Sequence, residues 1–332
     1  MPADGIRAAK AAHEAEIFSR ANVVGVAVGN KMIHGQDTNE RCIVVFVEHK
    51  CSEEKLRHRD IVPKEVDGVL TDVVETGRFS AVRIEQSLDG NRTRRMRPAP
   101  GGVSIGHYLI SAGTLGVLAH RQDRPVILSN NHILANGNAA QIGDPIVQPG
   151  PIDGGRLQDA IARLTDFVPI QFEEKAAGPI ARFFGRILTP FLGYLGFGLK
   201  RLPSGQTNLV DAAIAEPIDS GLVGPDILGI GDVSGIADAT IGLHVRKSGR
   251  TTGTTEGRVT ALDAVVQVDY GGNTAIFRQQ VVSDVRSKGG DSGSLIVDDR
   301  GHAVGLLFAG SPNTTLINPI GAVAHLLDIT FG

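Results

Sequence analysis

Gly289-Gly290-Asp291-Ser292-Gly293-Ser294 (GGDSGS) places one serine among glycines and small polar residues. A serine hydroxyl is a weak nucleophile until a neighbouring base takes its proton. It also needs N–H groups aimed at the negative charge that develops on its target. Flanking glycines let the backbone turn tightly and point amides into one hollow. Here those amides are the N–H groups of Gly290 and Ser292. Taken alone, the same six residues also fit a glycine-rich hairpin turn.

A base is therefore sought upstream. In Leu128-Ser129-Asn130-Asn131-His132-Ile133-Leu134 an apolar strand ends at small polar residues, and a histidine follows. Such a histidine can face a cleft while its apolar neighbours hold the backbone. Its near-neutral pKa suits it to proton transfer. A carboxylate must then fix the ring through its second nitrogen. Asp144, Asp153, Asp159, Asp166, Asp211 and Asp219 all lie between His132 and Ser292. Asp211 is preferred, with Asp159 next. It stands in Asn208-Leu209-Val210-Asp211-Ala212-Ala213-Ile214-Ala215, where a buried carboxylate is costly without a partner.

The order His132, Asp211, Ser292, with these neighbours, resembles the chymotrypsin-like serine proteases. Val245-Arg246-Lys247-Ser248-Gly249-Arg250-Thr251-Thr252-Gly253 is similar to a hairpin of the bacterial, streptogrisin-like branch. Val304-Gly305-Leu306-Leu307-Phe308-Ala309-Gly310 is similar to the strand lining its substrate cleft. The stretches VVGVAVGNK, CIVVFVEHK and IVPKEVDGVLTDVVETG resemble the leading domain of bacterial trypsin-like proteins and of plant narrow-leaf type serine proteases.

The resemblance implies a mainly β protein: two six-stranded antiparallel β-barrels of chymotrypsin type, preceded by a small α+β domain. Residues 1–97 form that accessory domain and a linker, and residues 98–332 the barrels. It implies a serine endopeptidase acting through an acyl-enzyme, with protein or peptide substrates and no cofactor or metal. His132 is the base, Asp211 its orienter, Ser292 the nucleophile, and Gly290 and Ser292 the oxyanion donors. Ala309 and Gly310 would line the substrate pocket. Arg286, six residues before the nucleophile, would form its floor and favour an acidic side chain, with a solvent-facing Arg286 as the alternative. Homo-oligomers are implied by the plant relatives. A catalytically silent or latent interaction scaffold on the same fold is the alternative.

The remaining sequence fits. Glycine is abundant, at 42 of 332 residues, and short apolar runs alternate with turns, as in an all-β chain. A net charge of −3 lacks the basic excess that nucleic acid binding needs. Gly25 to Gly29 and Gly229 to Gly235 do not form a dinucleotide fingerprint, and the other histidines lack metal-ligand spacing.

Cys42 and Cys51 are the two cysteines, and the first twenty residues hold no signal-peptide core. Both observations favour a cytoplasmic protein with free thiols, a Cys42–Cys51 bridge being the alternative, and limited proteolysis of intracellular partners. An N-terminal helix and strands near residues 23–29, 42–47 and 70–74 are expected, with Ile33 to Arg41 as a polar turn. Residues 160–164 fit either strand or helix. An apolar helical insert is expected around 170–206. It is read as packed on the barrels or in an oligomer interface, with membrane contact through 179–202 as the alternative.

Overall fold

The computed structural model describes residues 3–81, 84–87, 89–173 and 207–331. Its organising feature is two closed circuits of strands. In the first, a run that begins as Gly113–Thr114 and continues as Val117–Arg121 pairs at one end with Ser104–His107 and at the other with Arg124–Ser129. Ser104–His107 pairs with Pro145–Val147, which pairs with Ala160–Phe167, which pairs with Ala213–Pro217. Ala213–Pro217 returns to Arg124–Ser129. The ladder closes, so no edge is left open. Residues 160–164, which fit either state in sequence, are strand because partners on both sides take their backbone groups.

The second circuit runs His244–Gly249, Gly253–Asp269, Thr274–Ser283, Thr314–Pro319, Ala303–Ser311 and Leu295–Val297, and the last pairs back with the first. Each barrel is thus six-stranded and antiparallel. Ile105, Leu115, Ile127, Ile146, Ile161 and Leu164 fill the first, and Val245, Val259, Val281, Ile296, Leu307 and Ile317 the second. A third cluster unites them. Leu128 and Ile214 meet Leu295 and Leu306 there, closed off by Ile320, Val323 and Leu327 of the helix Ile320–Leu327.

The leading unit is a helix, Ala3–Phe18, on a small sheet. Ile6, Ala9 and Ile17 bury one helix face against Val26, Val28, Ile43 and Val45. Val23–Ile33 and Gln36–Val47 form a hairpin. Its turn needs only His34 (φ 52°) and Gly35 (φ 79°), so the polar residues from Gln36 to Arg41 are strand and not the expected turn.

Val23–Ile33 also pairs antiparallel with Gly253–Asp269, which merges the leading sheet with the second barrel. Gly29 permits that approach, since a Cβ there would lie 2.7 Å from Val44 Cγ2 and 3.1 Å from the Thr260 carbonyl. Phe46, Phe79, Val266, Phe277 and Phe308 pack between the two units.

The helical insert expected around 170–206, with its membrane alternative at 179–202, falls mostly outside the described residues. No helix among the described residues is long and apolar enough to cross a membrane.

Both thiols are free. Cys42 is buried in its strand, and burial pushes its thiol up to about 12, with the Asp72 charge adding to the effect. Cys51 is exposed. Iodoacetamide at about pH 8 is therefore expected to alkylate Cys51 in the folded protein and Cys42 only after denaturation. Mass mapping that finds both modified natively would contradict this packing.

Candidate active site

Asp211 stands just before the strand Ala213–Pro217 and is fully buried. Its Oδ2 accepts from His132 Nδ1 at 2.5 Å and from the Tyr270 hydroxyl at 2.8 Å. Its Oδ1 accepts from the His132 amide at 3.2 Å. The Asp211 amide donates to Asn318 Oδ1 at 3.0 Å, and its carbonyl accepts from Asn130 Nδ2 at 2.7 Å. Tyr270 and Asn318 come from the second barrel, and Asn130 and His132 follow a strand of the first. Burial holds the Tyr270 phenol well above its usual pKa, and the Asp211 charge adds to this, so it stays a donor. The Asp159 carboxylate accepts from the Arg156 amide at 3.1 Å.

His132 lies in the short helix Asn131–Leu134. Its ring meets Tyr270 edge-on, with centroids 5.7 Å apart. Among the described residues its Nε2 has no hydrogen-bond partner, although it is buried. His132 and Ser292 line one cavity of about 340 Å³ together with Tyr270, Phe172 and Gly290. The Ser292 hydroxyl donates to the Phe308 carbonyl at 3.3 Å. The cavity therefore joins an oriented imidazole from one barrel with a serine from the other.

The serine loop is fixed from beneath. Asp291 is fully buried and accepts from the amides of Thr251, Thr252 and Lys288 and from the Thr252 hydroxyl, at 2.7 to 3.0 Å. Lys247, also fully buried, reaches Asp291 Oδ2 at 3.3 Å. Burial lowers the lysine below its ordinary pKa, and the Asp291 charge opposes that. The first barrel braces the loop from the other side. The Thr114 amide donates to the Ser292 carbonyl at 2.8 Å, and the Thr114 hydroxyl to the Gly290 carbonyl at 2.9 Å.

Gly290 has φ 100°, which an L side chain rarely adopts, and a Cβ there would strike Thr251 Oγ1 at 2.5 Å. Among the described residues, neither the Gly290 nor the Ser292 amide donates to a protein acceptor. Two free donors beside the serine suit a developing oxyanion.

Val285 is buried in the second barrel's core, and the alternation of an extended chain turns Arg286 outward, so it is exposed and lines no part of this cavity. Ala309 faces the core between barrel and leading sheet, and Gly310 pairs with Ser80; neither side chain position lines the cavity. Sequence reasoning missed Tyr270, Asn318 and Lys247 as partners of the two aspartates. Tyr270 follows the long strand Gly253–Asp269, and nothing local marks its reach to Asp211.

Comparison with known proteins gives a consistent picture. Residues 6–75 match the family described as the NARROW LEAF 1 N-terminal domain. Serine protease 2 of Streptomyces fradiae is 39% identical over 82 residues, which is 25% of this chain and 45% of that protein. The matched region thus spans less than half of that relative. Among solved structures, the Cellulomonas bogoriensis chymotrypsin is 18% identical with a TM-score of 0.43, and Thermobifida fusca Protease A is 15% identical with a TM-score of 0.46. Each alignment covers 70% of this chain and 98% of the other. In this chain, two closed six-stranded antiparallel barrels flank the cavity that holds His132 and Ser292.

Two substitutions separate the supports. Tyr270→Phe removes one donor from a buried carboxylate and is expected to cost about 1–2 kcal/mol. Lys247→Met strips the cation from a buried pair and is expected to cost about 3 kcal/mol or more. Urea unfolding monitored by circular dichroism gives both values. The reverse ranking would contradict the assigned contacts.

Proposed function

We propose that this chain is a serine endopeptidase. The observation that carries the proposal is the shared cavity, in which an Asp211-held imidazole, its Nε2 unpartnered among the described residues, and the Ser292 hydroxyl are both wall groups. His132 Nε2 takes the Ser292 proton as the Oγ attacks a carbonyl carbon. Asp211 holds the tautomer with Nδ1–H and stabilises the imidazolium. The amides of Gly290 and Ser292 receive the oxyanion. The imidazolium then protonates the leaving amine, and water repeats the sequence on the acyl-enzyme. Attack requires Ser292 Oγ to leave the Phe308 carbonyl, a rotation about one side-chain bond.

Protein or peptide substrates are the proposed class, cleaved at few sites within the cytoplasm. The two free thiols support a reducing compartment. A latent form of the enzyme is supported by Ala81 and Ile84, which also line the cavity.

A fluorophosphonate probe is expected to label Ser292 in the wild-type protein and nothing at that position in Ser292→Ala. Asp211→Asn should lower the labelling rate by about 10³–10⁴, because the ring then loses its tautomer and its charge partner. Absence of labelling after prolonged exposure, both in wild-type protein that unfolds cooperatively and in folded variants that displace Ala81 and Ile84 from the cavity, sinks the enzymatic reading.

A further inference from the structure

The two residues before Ala81 and those from Ile84 onward belong to the leading unit and its linker, yet they sit at the candidate site. Phe79–Ser80 is a short strand wedged between two strands of the second barrel. It pairs parallel with Val268 and Asp269, and Ser80 pairs antiparallel with Gly310. The Ala81 amide donates to the Asp269 carbonyl at 3.1 Å. Phe79, 1% exposed, anchors this piece against Phe46, with ring centroids 6.1 Å apart.

Beyond it, Ala81 and Ile84 line the cavity that holds His132 and Ser292. The chain is then tied to the serine loop itself. The Glu85 amide donates to the Gly289 carbonyl at 3.0 Å. The Glu85 carbonyl accepts from Arg250 Nη1 at 2.9 Å, and its carboxylate pairs with Lys288 at 2.7 Å. The Ser87 hydroxyl donates to the Arg250 carbonyl at 2.7 Å.

This is the placement expected of a bound peptide. The strand Ala303–Ser311 runs past the serine, since its Phe308 carbonyl accepts from Ser292, and Gly310 lies two residues on. An extended peptide that offered a carbonyl to Ser292 would find its strand partner along that edge. Ser80 already takes the rung at Gly310, in the antiparallel sense. His132 and Ser292 are 8% and 5% exposed, and Ala81 and Ile84 share the wall of the cavity onto which they open.

We propose that Phe79-Ser80-Ala81 and Ile84-Glu85 form a strap that occupies the peptide-binding groove of this chain in the manner of a substrate, so that the intact protein is latent until the strap is displaced. The inference rests on the serine endopeptidase reading. A tethered segment competes at an effective concentration in the millimolar range, which a free peptide at micromolar concentration does not match. The strap also describes the accepted ligand: an extended chain with a small side chain at the Ala81 position.

Two substitutions loosen the strap. Ala81→Pro removes the donor to Asp269. Glu85→Lys, at a half-exposed site, replaces the ion pair with Lys288 by repulsion and keeps the residue's backbone amide and carbonyl. Each is made with and without Ser292→Ala. In the Ser292→Ala background, fluorescence anisotropy measures binding of a fluorescein-labelled peptide of residues 77–87. Loosened proteins are expected to bind it about tenfold or more tightly than the protein with the intact strap, and with Ser292 present to react about tenfold or more faster with the fluorophosphonate. Melting temperatures identify any variant that fails to fold, and the Glu85→Lys result then decides. Equal peptide binding by intact and loosened folded proteins overturns the strap. Enhanced peptide binding without labelling of any protein upholds the strap and removes the enzymatic reading instead.

Discussion

One buried carboxylate sets the terms for the rest of the molecule. Asp211 is cut off from water, and a charge so placed costs several kcal/mol unless its oxygens are fully partnered. Its partners come from both barrels: His132 from the first, and Tyr270 on its carboxylate and Asn318 on its amide from the second. Docking of the barrels therefore completes the setting of the carboxylate that orients the imidazole. A misdocked pair of barrels would take the Tyr270 donor from the carboxylate and leave the buried Asp211 amide without its Asn318 acceptor, which selects against that arrangement. The apolar seam of Leu128, Ile214, Leu295 and Leu306 supplies the attraction, and the aspartate supplies the register.

The same logic repeats beneath the serine. Asp291 gathers three amides, a hydroxyl and a buried ammonium, and so dictates the path of the loop that presents Ser292. Because Thr114 grips Gly290 and Ser292 from the first barrel, the loop is held from two sides. Preorganised donors of this kind need not rearrange as charge develops. The leading unit enters this design through a shared sheet, which places its linker within reach of the cavity.

Much of this was legible in the amino-acid sequence. GGDSGS, the run ending at His132, and Asp211 within an apolar stretch each carry chemistry that is costly to place by accident, and the apolar runs of both barrels end at recognisable turns. What was not legible depends on long-range contact. Lys247 within a strand and Tyr270 just after one are ordinary residues until folding sets them beside Asp291 and Asp211. Arg286 could be counted from Ser292, but the burial of Val285, which turns it to solvent, lies in the packing. The strap at Phe79 and Ser80 reads as linker because a strand of two residues has no periodicity to detect.

The claim on which all of this turns is that Ser292 and His132 act on the same atom of a ligand. A peptidyl chloromethyl ketone tests it directly, because a serine adduct at the ketone carbon places the reactive methylene against the neighbouring imidazole. After reaction with excess reagent, peptide mapping by mass spectrometry should find His132 alkylated in the wild-type protein and unmodified in Ser292→Ala. Alkylation of His132 that is indifferent to Ser292, or its absence where Ser292 itself reacts, would contradict the account.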